Sequence, residues 1–394
     1  MLNINIREEI FGATINVVEL GKREYITKDE LEKFMKEGIF PKDSFLSNLN
    51  GNFNVKMTRL SGNEVNNKFS FADIAFIEIT RKCNLRCKHC LNSSGLELDD
   101  NLSDEEIKKL IVQLSNAGIQ EIRFTGGEPL THNSIYDFIS LATNNGIYVS
   151  IGTNGTLITE NIAKKLKKAG LKKAVLSLDG TKERHDFIRG LGNFDKTFKA
   201  IDYLKENNID VKVNSVIMKN NIEEVIELAK IMNDNKTDFF IRRFIESGRG
   251  SLLEGNTLTF NDYLYVNERL KYLLDKDKYV RGHYIRLSDN SKNTRINIPF
   301  NIKLSCKVGQ RALVILPNGL IHFCGFLAAQ NFPPIGNVRE INDFKFFWDN
   351  LDYEDKLSNL NNSLEKYNQI KNVQPTNCLA YAQAYINNTK KGEI

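Results

Sequence analysis

Between residues 74 and 274 the sequence alternates six times between a short apolar run of strand length and a longer stretch with apolar residues at helical spacing. That alternation commits a chain to parallel strands joined by right-handed helical crossovers. Strands are expected at 74–79, 121–124, 148–152, 173–178, 211–217 and 238–244. Helices are expected at 104–116, 135–144, 160–169, 194–207, 222–233 and 263–274. Ser103 and Glu106 form a capping-box pair before the first helix, and Gly170 suits a left-handed cap after the third. Six units are too few to close an eight-stranded barrel. A partial, open α/β barrel is expected, with its loops gathered at the carboxyl ends of the strands.

The flanks read differently. Residues 1–72 carry strand patterns at 3–6 and 14–20 and a helix at 28–37, which describes a small α+β domain. Residues 276–394 contain one clear hairpin, 312–316 and 320–323, turned by Pro317-Asn318-Gly319. The expected division is 1–72, 73–275 and 276–394. No apolar run reaches membrane-spanning length. The first ten residues carry Arg7, Glu8 and Glu9 and lack a signal-peptide core. A cytoplasmic protein without a membrane partner is expected. The net charge of +5 over 394 residues is spread thinly, with no arginine-rich tract, so no nucleic-acid partner is expected. In a reducing compartment the 6 cysteines read as metal ligands or reactive thiols.

Three of them lie in Cys83-Asn84-Leu85-Arg86-Cys87-Lys88-His89-Cys90, just past the first strand, at the face where such folds keep their active sites. Three thiolates on one loop can wrap a single metal centre, and soft ligands suit zinc or an iron–sulfur cluster. Structural zinc usually takes four ligands from paired knuckles, and no second Cys-x-x-Cys exists here. Three cysteines would leave a four-iron cluster with one iron open to another ligand. Other unusual residues also fall at strand ends. Gly126-Gly127-Glu128-Pro129 follows the second strand, Thr153-Asn154-Gly155 the third, and Ser177-Leu178-Asp179-Gly180 the fourth, with His185, Asp186, Arg189 and Gly190 beyond. Alone, a tight turn with a surface glutamate accounts for the first of these. Its place after the second strand aims it at the mouth that holds the cysteines.

The Cys-x3-Cys-x2-Cys loop, with His89 before its last cysteine, resembles the radical S-adenosylmethionine (radical SAM) superfamily, and the other strand-end motifs extend the likeness. The resemblance implies a partial (β/α)6 radical SAM barrel. It implies a [4Fe-4S] cluster on Cys83, Cys87 and Cys90 that binds S-adenosylmethionine and reductively cleaves it to a 5′-deoxyadenosyl radical. It places His89, Gly126, Gly127 and Glu128 in cofactor binding, with Glu128 on the methionine amino group. Ser177 and Arg189 are implied for its carboxylate, Asn154 and Asp179 for its ribose side, and Asn214 as a further candidate. Arg243 and Gly248-Arg249-Gly250 resemble the family's sixth-strand end, and a solvated loop arginine fits them equally. No catalytic side chain is assigned, because the radical is borne by the cofactor.

Cys306, Cys324 and Cys378 remain. Twelve residues separate Cys306 from Gly319, and four separate Gly319 from Cys324, a spacing that resembles the SPASM or twitch extension of peptide-modifying members. The run for a second auxiliary cluster is absent. The resemblance therefore implies a twitch-like, reduced SPASM domain with one auxiliary [4Fe-4S] cluster on Cys306, Cys324 and Cys378; three buried structural cysteines are the alternative. It implies a ribosomally made precursor peptide as substrate, with an electron donor such as flavodoxin or ferredoxin as partner. Residues 1–72 are then either a leader-recognition domain or a covering extension. Six cysteines divide three and three, with no spare thiol to donate a hydrogen atom. That favours a thioether or carbon–carbon cross-link over epimerisation. A small-molecule dehydrogenase or cyclase is a further alternative, and a zinc-stabilised binding protein is the reading from a different class.

Overall fold

The computed structural model describes residues 2–42, 44–49, 52–60, 69–98, 100–274, 279–282, 311–370, 378 and 382. The chain begins with a sheet of order β3-β2-β1-β4. Its strands are β1 (Leu2–Glu9), β2 (Gly12–Val17), β3 (Lys22–Thr27) and β4 (Phe53–Thr58), and helix α1 (Lys28–Glu37) follows β3. The capping box of Thr27 and Glu30 starts α1, and Leu31 and Phe34 turn its apolar stripe onto Ile4, Ile15 and Ile26. Polar, half-exposed β3 and β4 lacked the alternation that marks a strand, so sequence reasoning found only β1, β2 and α1.

The second sheet has the order β11-β10-β9-β8-β7-β6-β5-β12-β13-β14. Six parallel strands form its middle: β5 (Ile74–Glu78), β6 (Glu121–Thr125), β7 (Tyr148–Thr153), β8 (Lys173–Ser177), β9 (Asp210–Ile217) and β10 (Asp238–Arg243). Between and after them run α2 (Asp104–Asn116), α3 (Ile135–Asn144), α4 (Glu160–Lys168), α5 (Lys182–Arg189), α6 (Asn193–Glu206), α7 (Ile222–Asp234) and α8 (Phe260–Leu274). The expected elements are present within a few residues, and α5 is new. Its sequence is mostly charged and buries only His185, Asp186 and Ile188, too narrow a stripe to read as a helix. Ile122, Phe124, Val149, Ile151, Leu176, Val213 and Ile241 on the outer sheet face form one core with the helices. The opposite face lines the lumen.

β11 (Val280–Gly282) extends the sheet beyond β10. The expected hairpin is β12 (Ala312–Ile315) and β13 (Leu320–His322). Its sequence did not disclose that β12 adds in parallel to β5, so that the carboxy-terminal segment prolongs the barrel sheet. β14 (Gly336–Asn337), α9 (Gly325–Ala328), α10 (Phe344–Asp349) and α11 (Tyr353–Asn368) complete the description. Among the described residues no helix is long and apolar enough to cross a membrane.

The amino-terminal sheet docks at the base of the barrel, where the strands begin. Asn5 donates to the Gly146 carbonyl before β7. Arg7 donates to the Ala72 carbonyl at 2.8 Å and pairs with Asp73, just before β5, at 2.8 Å. The cluster loop lies at the opposite end.

Candidate active site

The loop after β5 is held by backbone contacts. Cys83 N–H donates to the Gly95 carbonyl, Cys90 N–H to the Cys87 carbonyl, and Lys88 N–H to the Ile188 carbonyl. Arg249 clasps the loop from beyond β10. Its backbone N–H donates to the Cys90 carbonyl, Nε to the Cys87 carbonyl at 2.9 Å, and Nη1 to the Ser94 carbonyl at 2.8 Å. Gly248, at φ 56°, lies where a Cβ would strike the Cys90 and Leu91 carbonyls. Arg249 is thus a loop anchor that sequence reasoning left undecided. The adjacent Arg243 is buried against the Tyr263 ring.

Gly126 and Gly127 bring the second loop against the first. Gly127 N–H donates to the Thr80 carbonyl and Glu128 N–H to the Lys82 carbonyl. A Cβ on either glycine would collide with the backbone of residues 80–82. These glycines serve close backbone approach, which only glycine permits. Glu128, which follows them, has no solvent exposure. Its carboxylate accepts from the Thr153 hydroxyl at 2.7 Å, Asn154 N–H at 2.7 Å and Leu130 N–H at 3.2 Å. All three donors are neutral, and burial pushes the Glu128 carboxyl up to about 7. Thr153, to which the sequence assigned no role, thus supports the Glu128 carboxylate. Asn154 ties the same strand end to the cluster loop, donating from Nδ2 to Asn84 Oδ1 at 2.9 Å.

A third buried group sits beside the thiols. Asp179, also without exposure, pairs with Arg189 and with His89 Nε2, the latter at 2.7 Å, and accepts Val216 N–H at 2.8 Å. Burial opposes its charge, but Arg189 and His89 hold its carboxyl well below the usual range. Both carboxylate oxygens are taken by protein, so Asp179 orients Arg189 and His89. Arg189 Nη1 lies 3.8 Å from Cys87 Sγ. His89 Nδ1 is buried with no hydrogen-bond partner among the described residues. His185 accepts Asp179 N–H on Nδ1, and burial drives its pKa down to about 4. Asp186 accepts the N–H groups of Gly192 and Phe194 and thereby starts α6. Ser177 ends β8 opposite Asn214 in the register. With its amide oxygen turned inward, Asn214 accepts from Arg242 Nε at 2.9 Å and Nη2 at 3.3 Å, so it faces the lumen, below the mouth.

Burial raises the Cys83 and Cys87 thiols above their ordinary range, and neighbouring thiols of the trio add to this. Cys83 and Cys87 therefore stay protonated until a bound metal centre displaces their protons. Among the described residues no three potential ligands gather tightly enough for a single metal ion. The sealed carboxylate of Glu128, held only by neutral donors, suits an ammonium group. The residues therefore fit a thiolate-bound cluster with an amino acid-bearing cofactor beside it. Cys324 follows β13 and packs with Cys378 against the main core, near enough to Arg242 to favour its charged form. Cys306 lies outside the described residues.

Parallel strands bring a three-cysteine loop and buried acid–base pairs to one mouth, an arrangement that suits an iron–sulfur enzyme. Residues 77–232 match the radical SAM superfamily model. The AdoMet-dependent heme synthase of Methanosarcina barkeri is 29% identical over 299 residues, covering 71% of this chain and 83% of that relative. The mycofactocin maturase MftC of Mycobacterium tuberculosis is 29% identical over 280 residues, 69% of each chain. The crystal structure of Streptococcus suis SuiB bound to precursor peptide SuiA has the same fold, with a TM-score of 0.69 at 20% identity over 88% of each chain. Over residues 77–232 the chain thus carries a radical SAM domain, and it is an enzyme that uses S-adenosylmethionine and a [4Fe-4S] cluster.

When bound, cluster and cofactor together supply a 5′-deoxyadenosyl radical by one-electron cleavage of a sulfonium. Cys83, Cys87 and Cys90 would hold the cluster, and Arg249 fixes the loop that presents them. Glu128 would take the cofactor ammonium, its charge held ready by Thr153 and Asn154. Arg189, steadied by Asp179, offers its guanidinium to a carboxylate, and His89 offers Nδ1. The outer core keeps water from the backs of all these groups.

Proposed function

We propose that this enzyme modifies a ribosomally made precursor peptide, forming an intramolecular thioether or carbon–carbon cross-link after hydrogen abstraction at the barrel mouth. One observation carries the reading. Cys324 follows a hairpin that prolongs the barrel sheet beside β5, so an auxiliary cluster held by it would adjoin the barrel. An auxiliary cluster on Cys306, Cys324 and Cys378 would take up the second electron of a two-electron oxidation. The maturase MftC among its relatives, and the fold shared with peptide-bound SuiB, support a peptide substrate. The amino-terminal sheet would recognise a leader segment, and a flavodoxin or ferredoxin would supply electrons. Epimerisation and small-molecule chemistry remain the competing outcomes.

The test is turnover in heavy water of candidate precursor peptides encoded beside the gene. A cross-linker yields a product two hydrogens lighter without new carbon-bound deuterium. A product of unchanged formula carrying deuterium at an α-carbon would make the enzyme an epimerase. Consumption of a small molecule with every peptide untouched would overturn the peptide reading.

A further inference from the structure

The lumen face of the barrel carries a cluster of half-buried cations. Arg123 on β6, Lys173 on β8, Lys212 on β9 and Arg242 on β10 all project from it, each at a position alternating with the apolar outer face. β6 and β10 lie four strands apart, about 19 Å in a flat sheet. Arg123 nevertheless repels both Arg242 and Lys212, so the sheet curls to gather these cations around one space.

Two of the four are neutralised. Arg123 pairs with Glu121 at 2.8 Å, and Lys173 faces Asp238 at 3.8 Å. Among the described residues neither Lys212 nor Arg242 has a carboxylate within ion-pair distance; Asp238, opposite Lys212 in the register and favouring its charge, faces Lys173. They share the Phe240 ring, with the Lys212 ammonium 4.3 Å and the Arg242 guanidinium 5.6 Å from its centroid. A ring quadrupole offsets only part of what burial of a cation costs. Burial and the neighbouring cations lower the Lys212 ammonium to about 7 and the Arg242 guanidinium to about 10. Asn214 occupies the Nε–Nη2 edge of Arg242, and among the described residues Nη1 meets no acceptor. A guanidinium with one edge taken and the other without an acceptor suits a planar, two-oxygen acceptor.

We propose that Lys212 and Arg242 receive a carboxylate of the substrate, so that the group entering the barrel below the cofactor cradle is acidic. Resting on the peptide reading, this assigns an aspartate or glutamate side chain, or the peptide's terminal carboxylate, to the lumen. A small-molecule acid is the other source of the same chemistry.

Equilibrium dialysis of the full-length, anaerobically reconstituted enzyme with S-adenosylmethionine present tests it. The labelled probes are glutarate, N-acetylglutamate methylamide, N-acetylglutamine methylamide and inorganic phosphate. The blocked glutamate should bind saturably and its glutamine counterpart at least tenfold more weakly. Lys212→Met and Arg242→Gln should each weaken binding at least tenfold. Lys212→Arg should restore most of it, which a merely misfolded barrel would not do. Glutarate binding that is lost in Lys212→Met, without binding of the blocked glutamate, supports the carboxylate site and removes the peptide. Equal binding of the glutamate and glutamine probes, binding of phosphate alone, or indifference to Lys212→Met would overturn the site, whatever the turnover of peptides shows.

Discussion

The base and the mouth of this barrel both bury charged side chains, but they resolve them differently. At the base, Arg7 is 1% exposed and pairs with Glu9 at 2.7 Å and Asp73 at 2.8 Å. Asp73 also meets Arg23 and Arg311, and Glu9 accepts from Thr14 and Ser70. Every charge there answers another within the chain. At the mouth, Glu128 is as deeply buried but has only neutral donors. A closed set of charges is what a structural joint requires. A buried carboxylate without a cation of its own is what a binding site for a cation requires.

Substitutions that break the comparison should therefore fail in different ways at the two ends. The largest effect belongs to the mouth. Cys83→Ala, Cys87→Ala or Cys90→Ala should abolish 5′-deoxyadenosine formation under dithionite, because the electron-donating cluster loses an anchor. Normal production by Cys87→Ala would contradict the site as described. At the base, Arg7→Ala leaves Glu9 buried without a cation. Stability should fall by about 3–5 kcal/mol in denaturant unfolding. At low temperature the folded fraction should still form 5′-deoxyadenosine, since Arg7 lies at the far end from the thiols. An unchanged denaturation midpoint would show the joint to be dispensable.

Glu128→Gln sharpens the contrast. It keeps the shape of the side chain and removes the charge, so cofactor affinity should fall about tenfold to a hundredfold while iron content stays intact. The pH dependence gives the sign. The carboxyl has its pKa raised to about 7 by burial. Below pH 7 the cofactor must displace a proton, and wild-type affinity should drop about tenfold per pH unit. In the free protein the same shift favours the neutral acid. Its contribution to stability is complete below the ordinary carboxylate pKa and fades as pH rises through 7. Glu128→Gln should flatten both curves, as read by cofactor titration and by unfolding. A variant that loses iron but binds cofactor normally would reverse the assignment.

The mouth was more legible in the sequence than the base, and the reason is chain distance. The cluster loop and Gly126-Gly127-Glu128-Pro129 are local patterns, each complete within a few residues. The joint at the base links Arg7 to Asp73 across 66 positions and Asp73 to Arg311 across 238. Read singly, these look like surface charges. The alternation of apolar runs disclosed the six barrel strands, but a hairpin pattern names no partner, so the pairing of β12 with β5 stayed hidden. Thr153 and Arg249 were missed or left open for the same reason. Each acts on a side chain or carbonyl supplied by a different strand end.

Thr153 offers the finest cut. Its hydroxyl donates to Glu128 at 2.7 Å, and it accepts Gly155 N–H at 3.0 Å. Thr153→Val keeps the β-branched shape that suits the end of β7 and removes only the hydroxyl. A neutral hydrogen bond of this kind contributes about 1 kcal/mol, and a bond to a charged acceptor somewhat more. Without it the carboxylate keeps two backbone donors, and its neutral form gains ground. Cofactor affinity at pH 7 should fall about fivefold, consistent with a loss of about 1 kcal/mol. The pH at which binding falls off should move upward. At pH 9, where the carboxyl is ionised with or without the hydroxyl, the variant should recover part of the loss. If affinity falls equally at every pH, Thr153 shapes the loop around Gly155 and does not support the charge of Glu128.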